Sequence, residues 1–195
     1  TKVYTFNELS DEAKEKAREW FREGDDFAFH AECVIDDAKT IGALMGIDID
    51  KVYYSGFYSQ GDGACFEGHY SYKKGSVKAV EQYAPLDSEL HKIAKALAKL
   101  QQQNFYRLSA SVKQRGYYQH SGCTEIDVIN DNCPNGWPSS ANGEEDALKV
   151  LLRDFMDWIY SQLDKENDYQ NADAQVDDNI LANEYTFTES GKRFG

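Results

Sequence analysis

Residues Tyr106 to Lys113 alternate without a break, Tyr106, Leu108, Ala110 and Val112 against Arg107, Ser109, Ser111 and Lys113. A period of two between apolar and polar types marks a strand with one dry face and one wet face. The turn at Arg115-Gly116 leads into YYQHSGCTEIDVI, where Ile126 and Val128 continue the inward face. On the outward face Glu125 and Asp127 are placed to pair across strands with Arg107, Lys113 or Arg115. A second hairpin is written in YYSGFYSQGDGACFEGHYSY, Tyr53 to Tyr72, entered through IDIDKV and turning at Gln60–Gly63. Its aromatics fall on both alternation classes, Tyr53 and Phe57 on one and Tyr54 and Tyr58 on the other. One set is therefore expected in the core, and the other is either covered by helices or kept for a ligand or partner.

Helical spacing surrounds these strands. Ser10 is an N-cap with Asp11 and Glu12 in the first turn, and Leu9, Ala13, Ala17, Trp20 and Phe21 form one apolar face ended by Gly24. From Asp25-Asp26 a second helix carries Phe27, Ala31, Val34, Ala38, Ile41 and Met45 at alternating spacings of four and three, stopped by Gly46. Asp87 caps a third helix with Leu90, Ile93, Ala94, Leu97 and Leu100 inward. EEDALKVLLRDFMDWIYSQLDKE makes the longest helix, and a short one is expected around 176–182. The segment NDNCPNGWPSSANGE between strand and helix reads as a loop.

Strands and helices without regular β-α-β alternation give an α+β class: a four-stranded antiparallel sheet of two hairpins, packed by helices on one side. The expected organisation is one domain over 1–195. Residues 1–46 are a helical hairpin, 47–130 the sheet with an inserted helix, and 144–195 an acidic helical region. YTF occurs at Tyr4–Phe6 and again at Tyr185–Phe187, and the two copies are placed to pair as edge strands that bring the termini together.

Charge narrows the partners. The chain has 34 acidic and 21 basic residues, a net of −13, and more than half of that excess lies from Glu144 onward. Such a balance opposes docking on nucleic-acid phosphates or an anionic membrane and favours a basic partner. No apolar run is long enough to span a bilayer and no signal-peptide core follows a basic start, so a cytoplasmic location is expected. Cys33, Cys65, Cys123 and Cys133 lack a C-x-x-C spacing and read as free thiols.

Catalytic signatures are sparse. There is no G-x-S-x-G, H-E-x-x-H or P-loop. The glycines of SQGDGACFEG run strand to strand, which is hairpin punctuation and offers no helix N-terminus to an anion. Cys65 and His69 lie four apart on one strand face, and His120 and Cys123 three apart near the second hairpin, together a Cys2His2 set for zinc. The second spacing needs a bulge at Gly122 to bring its pair to one face, so no metal and no cofactor are expected. Asp62 with Glu67, and the acidic pairs Asp25-Asp26 and Asp36-Asp37, read as solvated carboxylates before acid/base pairs.

YTFNELSDEAKEKAREW, IDIDKVYYSGFYSQGDGACFEGHYSYKKGSVKAV and FYRLSASVKQRGYYQHSGCTEIDV, with SGF-aromatic-SQGDGA most distinctive, resemble a family of phage and prophage proteins. Members carry labels such as "antitoxin of toxin–antitoxin stability system". The resemblance implies a protein that neutralises another protein and assigns no catalytic residue. A small acidic phage protein of this kind is expected to inhibit a host defence factor, as an anti-CRISPR, anti-restriction or other anti-defence protein, or to neutralise a toxin. Its partner would be a host protein with a basic or nucleic-acid-binding surface. The contact face would be the acidic helices, Asp154 and Asp157 among their residues, together with Tyr54, Phe57, Tyr58 and Asp62. The alternative is a nucleotide sponge, with the aromatic hairpin stacking a base and Arg107, Lys113 and Arg115 holding phosphates. A metal-dependent enzyme ranks third, and the oligomeric state stays open.

Overall fold

The computed structural model describes residues 2–131 and 143–195. Cys133 and most of the expected loop around it lie outside the described residues. The elements in chain order are β1 (Tyr4–Thr5), α1 (Asp11–Gly24), α2 (Phe27–Met45), β2 (Ile47–Tyr54), β3 (Ala64–Ser71), α3 (Ser76–Tyr83) and α4 (Ser88–Gln103). They continue with β4 (Leu108–Gln114), β5 (Thr124–Asn130), α5 (Glu144–Asn171), α6 (Asp173–Ala182) and β6 (Thr186–Phe187). The chain divides into two compact units, residues 32–163 and the two terminal segments 1–31 and 164–195.

The larger unit is the α+β body. Its sheet is antiparallel throughout, in the order β2-β3-β4-β5. Leu108, Ala110 and Val112 are buried, Ala110 in register with Val128 and Val112 with Ile126, so the period-two stripe does face the core. Helices supply the other side of that core: Ile41 and Met45 from α2, Leu90 and Leu97 from α4, and Leu152, Phe155 and Ile159 from α5, all buried. Phe66 of β3 meets Phe155 edge-on at 6.2 Å, and Phe155 stacks on Trp158 at 5.6 Å. These are favourable aromatic geometries in addition to the area buried. The opposite face of the sheet carries Lys51, Glu67, His69, Lys113, Glu125 and Asp127, the outward alternation class.

Two joints fix how the helices enter the sheet. Gly46 turns α2 directly into β2 at φ +86, and a Cβ there would stand 2.1 Å from the Ser71 carbonyl, so only glycine fits. Gln101, buried at the end of α4, donates to the Leu108 carbonyl (2.7 Å) and the Tyr70 hydroxyl (3.2 Å) and accepts from the Leu108 N–H (3.2 Å). A buried amide satisfied in this way ties α4 to the first residue of β4.

Three sequence expectations need correction. Tyr106 belongs to the link before β4 and not to the inward stripe: it is exposed with φ 62, next to Phe105 at φ 52. The helix α3 precedes the one capped by Asp87, because Gly75 in a left-handed conformation starts a turn that buries Val80. The strand expected from Tyr117 onward begins only at Thr124, and residues 115–123 form a loop with a single 3-10 turn at Ser121–Cys123.

The smaller unit is built from the two ends of the chain. The YTF copies do pair antiparallel, Tyr4 with Phe187 and Thr5 with Thr186. Phe6, Leu9, Ala13, Ala17, Val176, Ile180 and Phe187 make its core, with Trp20, Phe21 and Tyr185 packed against it. The half-buried Arg18 holds α1 to α6 by a two-pronged contact, Nε and Nη2 each 2.7 Å from a carboxylate oxygen of Asp177. Those hydrogen bonds raise the Arg18 pKa above its ordinary value. No helix among the described residues is long and apolar enough to cross a membrane.

Candidate functional site

Two loops leave the same end of the sheet. Ser55–Gly63 joins β2 to β3, and Arg115–Cys123 joins β4 to β5. Each is closed by its own hydrogen bonds. In the first, the Ser55 N–H donates to the Gly63 carbonyl (3.0 Å), and Asp62 Oδ2 accepts from the N–H groups of Tyr58 (3.0 Å) and Ser59 (2.7 Å). An aspartate that caps its own loop in this way is a common turn device. In the second, the Arg115 N–H donates to the Cys123 carbonyl (2.8 Å), and the Gln114 side chain donates to the carbonyls of Gly116 and Tyr118.

The loops then pack on each other through glycine. A Cβ on Gly63 would lie 2.5 Å from the Cβ of His120, and one on Gly61 would lie 3.4 Å from the Tyr118 ring. This explains the glycine richness of SQGDGA: its glycines turn the first loop and admit the second. Between the loops is a cleft of about 570 Å³ walled by Tyr54, Ser59, Gln60, Asp62, Tyr117 and Tyr118. That volume suits a small ligand or a side chain from a partner.

The aromatics of the opening hairpin sort by depth. Phe57 is half-buried and stacks on Tyr160 of α5, with ring centres 5.7 Å apart and planes 18° from parallel. The Tyr160 hydroxyl donates to the Gly56 carbonyl at 3.1 Å, so α5 anchors the loop twice. Tyr58 is 85% exposed, Tyr117 91% and Tyr118 57%. Tyr53, on the outward sheet face, donates its hydroxyl to Glu67 at 2.9 Å. Sequence reasoning had no handle on Tyr117 and Tyr118 as site residues, because they looked like the start of a strand; the Gly116 turn was the available signal.

The cationic residues expected to hold phosphates are not assembled here. Arg107 lies before β4, at the end of the sheet away from the cleft, while Arg115 sits at the cleft end. Arg115 Nε is 2.6 Å from Glu125, which raises the arginine pKa through that hydrogen bond. Lys113 points outward on β4 opposite Glu125. The cleft wall itself contains one carboxylate, Asp62, and no lysine or arginine.

Asp154 and Asp157 are both exposed on α5, one turn apart. Partial burial, then the neighbouring Asp157 charge, raises the Asp154 pKa. By helical spacing Asp157 shares the face of Tyr160 and Arg153, the latter reaching the Thr124 carbonyl at 3.5 Å at the cleft end of β5.

The zinc quartet is not gathered. Cys65 is fully buried and His69 exposed, and among the described residues no group of three or more His, Cys, Asp or Glu is arranged to hold a metal ion. Burial, then the neighbouring Cys123 and Glu67, pushes the Cys65 thiol up to about 11. Cys123 and His120 do meet, Sγ to Nε2 at 3.4 Å, while His120 Nδ1 accepts from the Gly122 N–H at 3.1 Å. In the tautomer that accepts from Gly122, the ring proton is on Nε2 and faces the sulfur, an arrangement that does not draw a proton from the thiol. Glu67 is likewise engaged, accepting from Tyr53 and from the Gln114 N–H at 3.2 Å. Cys33, exposed on α2, is free.

The smaller unit has a cavity of opposite character, about 500 Å³, walled by Lys16, Trp20, Lys192 and Arg193. The Arg193 guanidinium there lies over the rings of Trp20 (5.6 Å) and Tyr185 (4.7 Å). Lys16 is paired with Glu12 at 3.0 Å.

No curated protein and no solved structure matches the chain. A family model does, over residues 30–173, a stretch that takes in the whole sheet and both cleft loops. By that match the chain belongs to the family described as Domain of unknown function (DUF8835).

Proposed function

We propose that the protein is a phage-encoded acidic binding protein that inhibits a host defence factor, or neutralises a toxin, by protein–protein contact in the host cytoplasm. The observation that carries this reading is the double loop: Tyr58, Tyr117 and Tyr118 stand exposed on a hydrogen-bonded frame of serine, glycine and glutamine. Tyrosine gives a large contact area at low entropic cost, and tyrosine, serine and glycine are the residues that binding loops of antibodies use most. The frame is set on a sheet, so little ordering is left to be done on binding. Net charge supports the choice of partner, since a chain at −13 is steered toward a basic surface such as a nucleic-acid-binding groove.

The sponge reading is less well supported. Its three cations are divided between the two ends of the sheet, and Arg115 is already neutralised by Glu125. An enzyme reading would rest on the Cys123–His120 pair, in which His120 Nδ1 is taken up by the Gly122 N–H instead of by an orienting carboxylate.

The test is capture of partners from host lysate on the tagged full chain, followed by mass spectrometry. A basic protein is expected, retained at ~0.05 M salt and released by ~1 M as the Debye length falls to a few ångströms. The double variant Tyr117→Ala/Tyr118→Ala should lose it while remaining folded. Recovery of background proteins alone at low salt would sink the proposal.

A further inference from the structure

We infer that the cleft between the two loops receives a cationic side chain of the partner, a guanidinium before an ammonium, stacked on tyrosine and facing Asp62. This rests on the binding-protein reading above and adds the chemistry of the contact.

Four observations carry it. The cleft wall holds tyrosine rings and a single charge, and that charge is negative. Only one carboxylate oxygen of Asp62, Oδ2, caps the loop; Oδ1 makes no hydrogen bond among the described residues. The Tyr118 ring packs beside Gly61, with His120 stacked 6.2 Å away and the Tyr117 ring edge-on at 5.6 Å, and it stays 57% exposed. Asp157 and Asp154 add exposed negative charge to α5, whose Tyr160 reaches the Gly56 carbonyl of the first loop. Aromatic faces with one carboxylate attract cations through the ring quadrupole and direct charge, and guanidinium gains more because it also stacks flat. A phosphate-bearing ligand meets the reverse, with a carboxylate in the wall and no cation to balance its charge.

The test separates site binding from attraction by net charge. Tetra-arginine amide, tetra-lysine amide, neutral tetra-citrulline amide and adenosine monophosphate are titrated into the full chain. Calorimetry gives affinity, and tyrosine-ring NMR signals give location. Tetra-arginine should bind most tightly and move the Tyr117 and Tyr118 signals, and tetra-citrulline should not bind. Asp62→Asn keeps an oxygen for the two capping N–H groups and removes the charge, so the loop stays closed. It and Tyr118→Ala should each weaken tetra-arginine by about fivefold or more. Asp48→Asn, on the exposed far end of β2 roughly 20 Å along the strand from Tyr54, should change it by less than about twofold. Equal weakening by Asp62→Asn and Asp48→Asn, with no effect of Tyr118→Ala, would mean that net charge alone is read, and overturns the inference. Tighter binding of adenosine monophosphate to the same rings also overturns it. The two proposals fail separately. A partner captured from lysate that tetra-arginine does not displace removes the cation site but keeps the binding protein. A tetra-arginine site with no basic partner in the lysate does the opposite.

Discussion

Phe57 and Tyr58 are neighbours in the first loop with opposite duties, and replacing each by alanine should separate them. A fully buried phenylalanine costs about 3–5 kcal/mol when cut to alanine. Phe57 is only half-buried, so about half of that, roughly 2 kcal/mol, is expected from lost packing. Its near-parallel stack on Tyr160 at 5.7 Å adds about 0.5–1.5 kcal/mol. Phe57→Ala should thus cost about 2–3 kcal/mol in urea unfolding followed by fluorescence. Tyr58→Ala, at a position 85% exposed, should stay within about 0.5 kcal/mol. A cycle of Phe57→Ala and Tyr160→Ala should return a coupling of about 0.5–1.5 kcal/mol. Tyr160→Phe keeps the ring and loses the bond to Gly56, and should cost about 1 kcal/mol. Equal costs for Phe57→Ala and Tyr58→Ala, with no coupling to Tyr160, would refute the claim that α5 anchors the loop.

Other perturbations probe the cleft, the smaller unit and the buried thiol. Gly63→Ala puts a Cβ against His120, so it should wedge the loops apart and weaken tetra-arginine binding more than it lowers the unfolding midpoint. Arg18→Lys keeps the charge but loses the two-pronged geometry on Asp177, and should destabilise the terminal unit by about 1–2 kcal/mol, read by hydrogen exchange in α6. The folded Cys65 thiol titrates near 11 against an ordinary 9.0, so it supports stability in full below pH 9. That support should fall away as the pH rises toward 11, because the unfolded chain releases its proton first. Urea titrations across that range should show the loss in the native chain and a flatter profile in Cys65→Ala. At pH 8, iodoacetamide should label exposed Cys33 well before buried Cys65.

Much of this fold was legible in the sequence because its signals are local and periodic. The stripe Leu108, Ala110, Val112 and the helical faces of α2, α4 and α5 needed only spacing to be read, since a one-residue slip would turn every apolar group to water. The paired YTF copies were visible as a tripeptide that occurs twice, at Tyr4–Phe6 and Tyr185–Phe187. Local signals failed where a neighbour remote in sequence decides the conformation. Tyr106 fits the stripe by type, yet the Gln101 side chain takes up both backbone groups of Leu108 and starts the strand there. Tyr117 and Tyr118 look like strand residues, yet the second loop folds back onto Gly61 and Gly63.

The sequence alone therefore determined the class, the one-sided sheet, the acidic surface and the presence of an aromatic hairpin. Each of these follows from composition or from a period of two or 3.6 residues. Tertiary structure alone decided which aromatic is an anchor and which stands exposed. It also placed Arg107 at one end of the sheet and Arg115 at the other, and left Asp62 as the single charge in the cleft wall. Those outcomes depend on where Tyr160 of α5 and the loop after β4 come to rest against residues far away in the chain, and no local spacing encodes that distance.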